Sequence, residues 1–201
     1  MTCSHDWIPL EEISPNLQKA VIASEDATFL THYGFDFNAI NKAMESNEKG
    51  KKLRGGSTIS QQIIKNLYGR DRHGMLTTPV NKIKEAIMAQ RLERVHDKND
   101  VLTLYFNSGI ESAAQRYFGK ATARLKVEEA AVLVGMLKAN TSYNPRKHPE
   151  RSKGRRDQVL ELMAGRGYLT TTAKDSLRQL PLKLRYTGVT AFDAYGYFTA
   201  R

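Results

Sequence analysis

The stretch RGGSTISQQIIKN, residues 54–66, contains a pair of glycines followed by residues with hydroxyl, amide and lysine side chains. A series of apolar residues begins within it. Ser57 is predicted to cap a helix here, because a Ser side chain accepts a hydrogen bond from a free N–H group of the first turn. Ile59, Ile63 and Ile64 follow at helical spacing and predict its buried side. The N–H groups and dipole of such a helix start favour an anionic ligand.

The polar side chains of this stretch suit a ligand that carries both sugar and phosphate groups. Hydroxyls and amides bind sugar hydroxyls and acetamides, whereas Lys65 and Arg54 suit phosphate oxygens. The stretch lacks the Gly-Lys-Ser/Thr that the phosphate loop of nucleotide hydrolases needs. A plain capped helix with a glycine entry explains the same residues, so on this stretch alone both interpretations stay open.

Composition narrows the class of protein. The 201 residues are 40% hydrophobic and 26% charged, which is enough for a packed core, and the formal charge is +10. Such a charge indicates an anionic partner: nucleic acid, lipid head groups or a phosphorylated substrate. The single cysteine, Cys3, excludes a disulfide within the chain, and no run of about 18 apolar residues could span a bilayer. The scattered aromatic residues argue against nucleic acid.

Caps and apolar periodicity predict a mainly α chain. Ser14-Pro15 should start a helix that runs to about Thr28, and Asp36 can cap a second one over residues 37–48. Thr78-Pro79 should start a long helix, which carries apolar residues at roughly helical spacing: Val80, Ile83, Ile87 and Leu92. The segment KVEEAAVLVGMLKA is apolar almost all round and predicts a buried central helix. No set of β-branched runs adds up to a large sheet.

Glu25 and Asp26 are the first candidate catalytic carboxylates. Phe29 and His32 follow at short spacing, and carboxylates beside aromatic rings lose hydration, which favours use as a general base. A solvated acidic pair is the plain alternative. His32 has no cysteine or second histidine nearby, so a hydrogen-bonded structural role is expected for it and a zinc site is not.

Glu85 is the second candidate carboxylate. It lies in the middle of the long predicted helix, where Lys82, three residues earlier, shares its face. An ordinary surface ion pair would explain this spacing. The functional interpretation is that Glu85 stays ionised beside cations and organises a phosphate-binding network.

Four segments together resemble the peptidoglycan glycosyltransferases, the family 51 glycosyltransferase domain of class A penicillin-binding proteins and of monofunctional enzymes. The resemblance extends from Ile8 to about Tyr186, and it is carried by ASEDATFLTHYGFD, RGGSTISQQIIKN, NKIKEAIMAQRLE and HDKNDVLTLYFN. It implies a lysozyme-like, two-lobed helical domain with a small membrane-proximal jaw lobe. The domain would occupy residues 1–201, with residues 1–13 and 187–201 as linker or tail.

The family joins lipid II units into glycan strands by inverting β-1,4 transfer and releases undecaprenyl pyrophosphate. By resemblance, Glu25 is the general base and Glu85 helps to organise the pyrophosphate. Gln62, Lys65 and Lys82 match positions that hold the donor's pyrophosphate and sugars. The other predicted substrate-binding residues match groove positions or suit the ligand chemically: Asp26, Phe29, His32, Arg54, Ser57, Thr58, Gln61 and Asn66.

The resemblance also implies partners and a location. We expect lipid II, the growing glycan chain, a membrane surface and moenomycin-type phosphoglycolipid inhibitors as partners, and no nucleic acid. No cofactor is required; some family members use a divalent cation, Mg or Mn, but the sequence shows no metal cage. The expected location is the outer, periplasmic face of the bacterial cytoplasmic membrane, with the anchor helix absent from this chain. Candidates for a surface that dips into lipid are Tyr33, Phe35, Phe37 and Met75.

Two departures from the family pattern keep alternatives open. Asn81 stands where the third motif usually opens with Arg, and Arg70 or Arg72 is a candidate replacement for that cation. Asn107 runs almost directly into Gly109, without the loop that usually borders the groove. An inactive member kept as a scaffold is therefore one alternative. A lysozyme-like glycan hydrolase is another, but it would have no use for a pyrophosphate pocket.

Overall fold

The computed structural model describes residues 7–37 and 56–186, and within them the chain is mainly α, as predicted. Short 3₁₀ turns cover Leu10–Glu12, Gly74–Leu76 and Thr122–Arg124, and no strand occurs among the described residues. The α-helices of this part of the chain are α1 (Pro15–Glu25), α2 (Ile59–Tyr68), α3 (Thr77–Val95), α4 (Lys98–Asn107), α5 (Ile110–Phe118), α6 (Val127–Leu137), α7 (Pro149–Gly165) and α8 (Thr171–Gln179). The helix predicted after Asp36 and the candidate Arg54 lie outside the described residues.

The chain divides into two compact units. The first unit comprises Met1–Ser24 and Phe106–Arg201, and the second comprises Glu25–Tyr105. Every predicted catalytic or binding residue that the structure describes belongs to the second unit.

The first unit is built around α6, which buries an uninterrupted run from Ala130 to Met136 and thereby confirms the predicted central helix. Arg156 of α7 is fully buried, and its guanidinium donates to the carbonyl oxygens of Arg178 and Leu180 at the end of α8, at 3.0 and 2.7 Å. Asn107 exchanges two 2.9 Å hydrogen bonds with the backbone of Ile8. These contacts hold distant chain segments on one core.

In the second unit α2 packs against α3. The buried side of α3 is mostly polar, and apolar residues of its predicted core side are exposed. Its buried side carries Asn81, Glu85, Ala89 and Glu93, one residue per turn. Ile83 and Ile87 are 62% and 50% exposed. The apolar periodicity therefore predicted the helix correctly, but its buried stripe is mostly polar because hydrogen-bonding partners from α2, α4 and the loops meet it there.

Helix α1 ends at Glu25, three residues before the predicted end at Thr28. The chain leaves the helix at Asp26, whose carboxylate accepts a hydrogen bond from the Ile59 N–H group and contacts His32. Tertiary contacts of Asp26 thus end α1 before its local pattern runs out. None of the helices among the described residues is both long and apolar enough to cross a bilayer.

Candidate active site

Glu25, the last residue of α1, faces Gln62 of α2. The Gln62 Nε2 atom donates to Glu25 Oε2 at 3.3 Å, and the Tyr105 hydroxyl donates to Gln62 Oε1 at 3.4 Å. Burial, and next the charge of Glu25, raises the pKa of Tyr105 well above its usual value, so this hydroxyl stays protonated and remains a donor. Glu25 itself is half-buried. The first candidate carboxylate and the polar stretch around Gln62 therefore form one cluster.

Asp26 ties the segment after α1 to the start of α2. Its carboxylate accepts a hydrogen bond from the Ile59 N–H group at 3.0 Å, and each of its two oxygens lies 3.0 Å from His32 Nε2. A carboxylate at a helix start also interacts favourably with the helix dipole. Phe29 is fully buried beside this pair, and its ring meets the His32 ring edge-on. His32 is thus hydrogen-bonded, as expected from the sequence, and its predicted contact with substrate stays a prediction.

The cap of α2 is Thr58, and the prediction that Ser57 caps this helix was wrong. Thr58 Oγ1 accepts from Gln61 N at 3.2 Å, and Gln61 Oε1 accepts from Thr58 N at 3.1 Å. This reciprocal capping box satisfies two free donors of the first turn. The Ser57 hydroxyl instead accepts a 2.8 Å hydrogen bond from Lys82 Nζ. Thr58 and Gln61 are both buried, and their predicted contacts with substrate stay a prediction.

Glu85 is a buried carboxylate with two cations. Arg70 Nε lies 2.7 Å from Glu85 Oε1, and Lys82 Nζ lies 2.9 Å from Oε2. Burial acts to raise the pKa of Glu85, but hydrogen bonds from Arg70 and Lys82 together with their charges outweigh it, and the resulting pKa lies below the usual value. Glu85 is therefore ionised at neutral pH, and the surface ion pair weighed as an alternative does not describe it, since only 3% of the residue is exposed.

Lys65 and Asn66 lie on the exposed side of the second half of α2, beyond the turn that carries Gln62. Their predicted binding roles stay predictions, as do those of the other site residues. The structure brings together Glu25 with Gln62 in one cluster, and Glu85, Lys82 and Ser57 in another.

A buried network around Lys98 was missed by sequence reasoning. Lys98 Nζ donates to the His32 carbonyl oxygen and to Glu93 Oε2, each at 2.6 Å, and its charge lies 4.3 Å from the centre of the Phe29 ring. The Ser60 hydroxyl donates to the other Glu93 oxygen. Glu85, Ala89 and Glu93 follow one another at four-residue spacing, which was the signal that both carboxylates share one face of α3.

Glu85 and Asp26 are both engaged by protein groups. Glu85 is held by two cations, and Asp26 by His32 and a backbone N–H group. Among residues 7–37 and 56–186, no three His, Cys, Asp or Glu side chains lie close enough to bind one ion. The expectation that no cofactor is required stays a prediction, as does the use of Mg or Mn, and no reaction step is assigned to a metal.

The site thus holds one carboxylate, Glu25, beside an amide and a second, Glu85, beside two cations. Residues 2–164 match the family described as Transglycosylase. The chain belongs to this family.

Three relatives illustrate the similarity. Penicillin-binding protein 1A of Aquifex aeolicus is 38% identical over 199 residues, which cover 94% of this chain and 27% of that protein. The biosynthetic peptidoglycan transglycosylase of Nitrosospira multiformis is 44% identical over 148 residues, which cover 69% of this chain and 62% of that protein. The protein of the same description from Acinetobacter baumannii is 34% identical over 168 residues, or 79% and 73%. The chain thus spans about a quarter of the first relative and less than two thirds of the second.

Proposed function

We propose that this chain polymerises lipid II into peptidoglycan glycan strands, with release of undecaprenyl pyrophosphate. The observation that carries the proposal is the 3.3 Å contact between Glu25 Oε2 and Gln62 Nε2, because it joins the candidate base to the stretch suited to a sugar and its phosphate. The descriptions of the relatives as peptidoglycan transglycosylases support the same reaction.

In the proposed reaction, Glu25 acts as the general base. Its carboxylate takes the proton from the 4-hydroxyl of the acceptor sugar while that oxygen attacks the anomeric carbon of the donor. The bond from this carbon to the pyrophosphate oxygen breaks, its electron pair leaves with the pyrophosphate, and the configuration inverts from α to β. The Gln62 amide, held in turn by the Tyr105 hydroxyl, orients the Glu25 carboxylate.

Negative charge accumulates on the two phosphates of the leaving group as the bond breaks, so the site must supply positive charge to stabilise it. Lys82 supplies a cation that is fixed between Glu85 and the Ser57 hydroxyl at 2.9 and 2.8 Å. Exposed Lys65 is a further cation for the donor pyrophosphate. The same groups would bind phosphoglycolipids of the moenomycin type, so Lys65→Ala is expected to weaken their binding.

We place the second unit on a membrane surface, where lipid II is anchored. Exposed apolar side chains support this placement: Tyr33 and Phe37 are largely exposed and Met75 fully, whereas Phe35 is half-buried. Ile83 and Ile87 of α3 are further exposed apolar side chains of this unit. Apolar groups of this kind insert at the boundary of head groups and acyl chains, and the charge of +10 adds attraction to anionic lipid. The outer face of the bacterial cytoplasmic membrane is the location that this substrate requires.

The test is incubation of the chain with purified lipid II in detergent or liposomes. A polymerase gives longer glycan strands and releases one undecaprenyl pyrophosphate for each glycosidic bond formed. A lysozyme-like hydrolase would instead shorten finished strands and leave lipid II intact, and an inactive scaffold would do neither. Either of these results would overturn the proposal.

A further inference from the structure

The positive charge of the chain is concentrated in the first unit. The described residues of this unit, 7–24 and 106–186, contain 17 lysines and arginines but 9 acidic residues, which gives a formal charge of +8. The described residues of the second unit contain 8 of each kind and are neutral overall. The surplus charge therefore lies outside the unit that carries Glu25, Glu85 and the proposed donor cations, and the reaction proposed for those residues does not explain it.

Three segments of the first unit meet at Tyr117, near the end of α5. The Tyr117 hydroxyl accepts a 2.9 Å hydrogen bond from Asn144 Nδ2, and the Tyr117 carbonyl oxygen accepts one of 3.0 Å from Arg185 N. Asn144 Oδ1 in turn accepts from the backbone N–H groups of Arg146 and Lys147, at 2.9 and 3.2 Å. These bonds fix the loop before α7 and the segment after α8 against α5.

Two arginine side chains converge on Tyr186 at this junction. Arg116 donates from Nε and Nη2 to the Tyr186 hydroxyl, both at 3.3 Å, and Arg146 Cζ lies 4.5 Å from the centre of the Tyr186 ring. The hydrogen bond from Arg116 lowers the pKa of Tyr186, burial opposes this, and Arg146 together with both charges keeps the pKa below its usual value. Surroundings that favour an ionised phenol have a positive potential, and the same potential attracts an anionic ligand.

The cluster of Arg116, Arg146 and Tyr186 is accessible to a ligand. Arg146 is exposed, and Arg116 and Tyr186 are half-buried. In residues 7–37 and 56–186, the arginines that lie within 4.0 Å of a carboxylate oxygen are Arg70, Arg156 and Arg178. Arg146 thus has no carboxylate at that distance in the described part of the chain. The planar guanidinium fork matches the two oxygens of a carboxylate or phosphate, so the cluster suits such a group.

The surroundings of the cluster indicate a hydrated anion rather than a bilayer. Among the large apolar side chains that are exposed in the described residues, the first unit contributes Trp7 and Leu180, and the second unit contributes the other eleven. Insertion at a membrane surface requires exposed apolar groups in addition to cations. The charged unit has few of them, and a polar chain with anionic groups is therefore the better fit.

We propose that Arg116, Arg146 and Tyr186 form a binding site for the peptide carboxylates of the peptidoglycan strand. This inference rests on the proposed function. In the proposed reaction the phosphates leave with the lipid carrier, so the negative charges that remain on the strand are the carboxylates of its peptides. Because peptides recur along a strand, several cations of the first unit can bind the same strand at once, which raises its overall affinity.

The first test measures, by fluorescence anisotropy, the binding of the full chain to labelled, soluble, uncrosslinked glycan strands that keep their peptides. Arg146→Ala should weaken binding about tenfold or more, which is the loss expected for a hydrogen bond to a charged group. Arg166→Ala is the matched control, because Arg166 is an exposed arginine of the same unit and its removal changes the charge equally. The control should alter affinity less than about twofold. Equal losses in the two variants, or no binding by the unmodified chain, would overturn the assignment.

The second test identifies the group that the cluster binds, with the same strands after an amidase has removed their peptides. The unmodified chain should bind these strands about tenfold more weakly, and Arg146→Ala should then cost less than about twofold, because its partner is gone. A full effect of Arg146→Ala on strands without peptides would assign the cluster to the sugars, against the proposal. Arg146→Gln replaces Arg146→Ala if circular dichroism shows that variant to be unfolded.

Two other anions test the choice of partner: vesicles of phosphatidylglycerol and a single-stranded oligonucleotide. With either probe, Arg146→Ala and Arg166→Ala should differ by less than about twofold, because both remove one charge from a diffuse attraction. A loss specific to Arg146→Ala that is as large as the loss with strands would assign the cluster to lipid or nucleic acid and overturn the proposal.

Lipid II turnover, measured in parallel, separates this inference from the proposed function. If turnover is absent but the difference between Arg146→Ala and Arg166→Ala persists with peptide-bearing strands, the proposed function fails and the carboxylate site stands. If turnover is normal and that difference is absent, the carboxylate site fails and the proposed function stands.

Discussion

Gly34 offers the sharpest stability prediction, because the segment after α1 passes directly over the backbone of α3 there. Its φ is +77°, and a Cβ added to it would lie 2.5 Å from Gln90 N and 2.6 Å from Gln90 Cα. These are backbone atoms of a helix, so no side-chain rotation can relieve the overlap. The Gly34 carbonyl oxygen also accepts the 2.6 Å hydrogen bond from Thr58 Oγ1 at the start of α2. Replacement by alanine therefore disturbs α2 and α3 together.

Two effects set the size of the loss. A residue with a Cβ in the left-handed region costs about 1–2 kcal/mol. Forcing a methyl group into a well-packed site costs about 1–3 kcal/mol more. Gly34→Ala should accordingly lower the free energy of unfolding by about 2–5 kcal/mol.

The assay is urea denaturation followed by far-ultraviolet circular dichroism. Gly74→Ala is the matched control in the same unit, because Gly74 has a φ of +56° but no atom within 4 Å of the added Cβ. The control should lose only the backbone contribution, about 1–2 kcal/mol. Equal losses in the two variants would refute the crowding argument, and a loss below about 1 kcal/mol for Gly34→Ala would refute the whole estimate.

Lys98→Met leaves the buried Glu93 carboxylate without its cation and should lower the free energy of unfolding by about 3–5 kcal/mol in urea titrations. Adding Glu93→Gln should recover most of this loss, and an unchanged urea midpoint for Lys98→Met would contradict the prediction. Because the pKa of Glu85 is lowered from its usual 4.5, its contribution to stability is present above that pH and disappears as the pH falls through the folded value. The stability difference between the unmodified chain and Glu85→Gln should therefore shrink below about pH 4.5, and a pH-independent difference would oppose this account. Ile83→Ser combined with Ile87→Ser should reduce sedimentation with anionic liposomes about tenfold or more while changing the unfolding free energy by less than about 1 kcal/mol; unaltered sedimentation counts against the membrane surface.

Local signals in the sequence predicted most of the helices. The start of α3 near Thr78-Pro79 and the burial of α6 follow from a proline at a helix start and from a continuous apolar run. The capping residue was misassigned between two neighbouring hydroxyls, Ser57 and Thr58. A Thr with Gln three positions later forms a capping box, so Gln61 was the signal that selects Thr58.

The orientation of α3 could not be predicted from periodicity. Periodicity shows which residues share a face, but whether that face is buried depends on what packs against it. The partners of the polar stripe come from elsewhere in the chain: Arg70 for Glu85, and Lys98 with Ser60 for Glu93. The Arg70–Glu85 and Ser60–Glu93 pairings join residues 15 and 33 positions apart, and one sequence does not reveal them, whereas Lys98 lies five positions after Glu93. The resemblance to the family supplied the site residues, but not the loop contact between Arg70 and Glu85.

The most direct test of the central claim, that Glu25 is the base for sugar transfer, is single-turnover release of undecaprenyl pyrophosphate from lipid II by the unmodified chain and by Glu25→Gln. Glutamine keeps the size and the half-buried setting of the side chain but cannot take a proton. The account predicts a fall in rate of about 10²–10⁴-fold, the usual contribution of a general base, with unchanged circular dichroism and unchanged pyrophosphate affinity. A rate within about threefold of the unmodified chain, well short of that contribution, would contradict it.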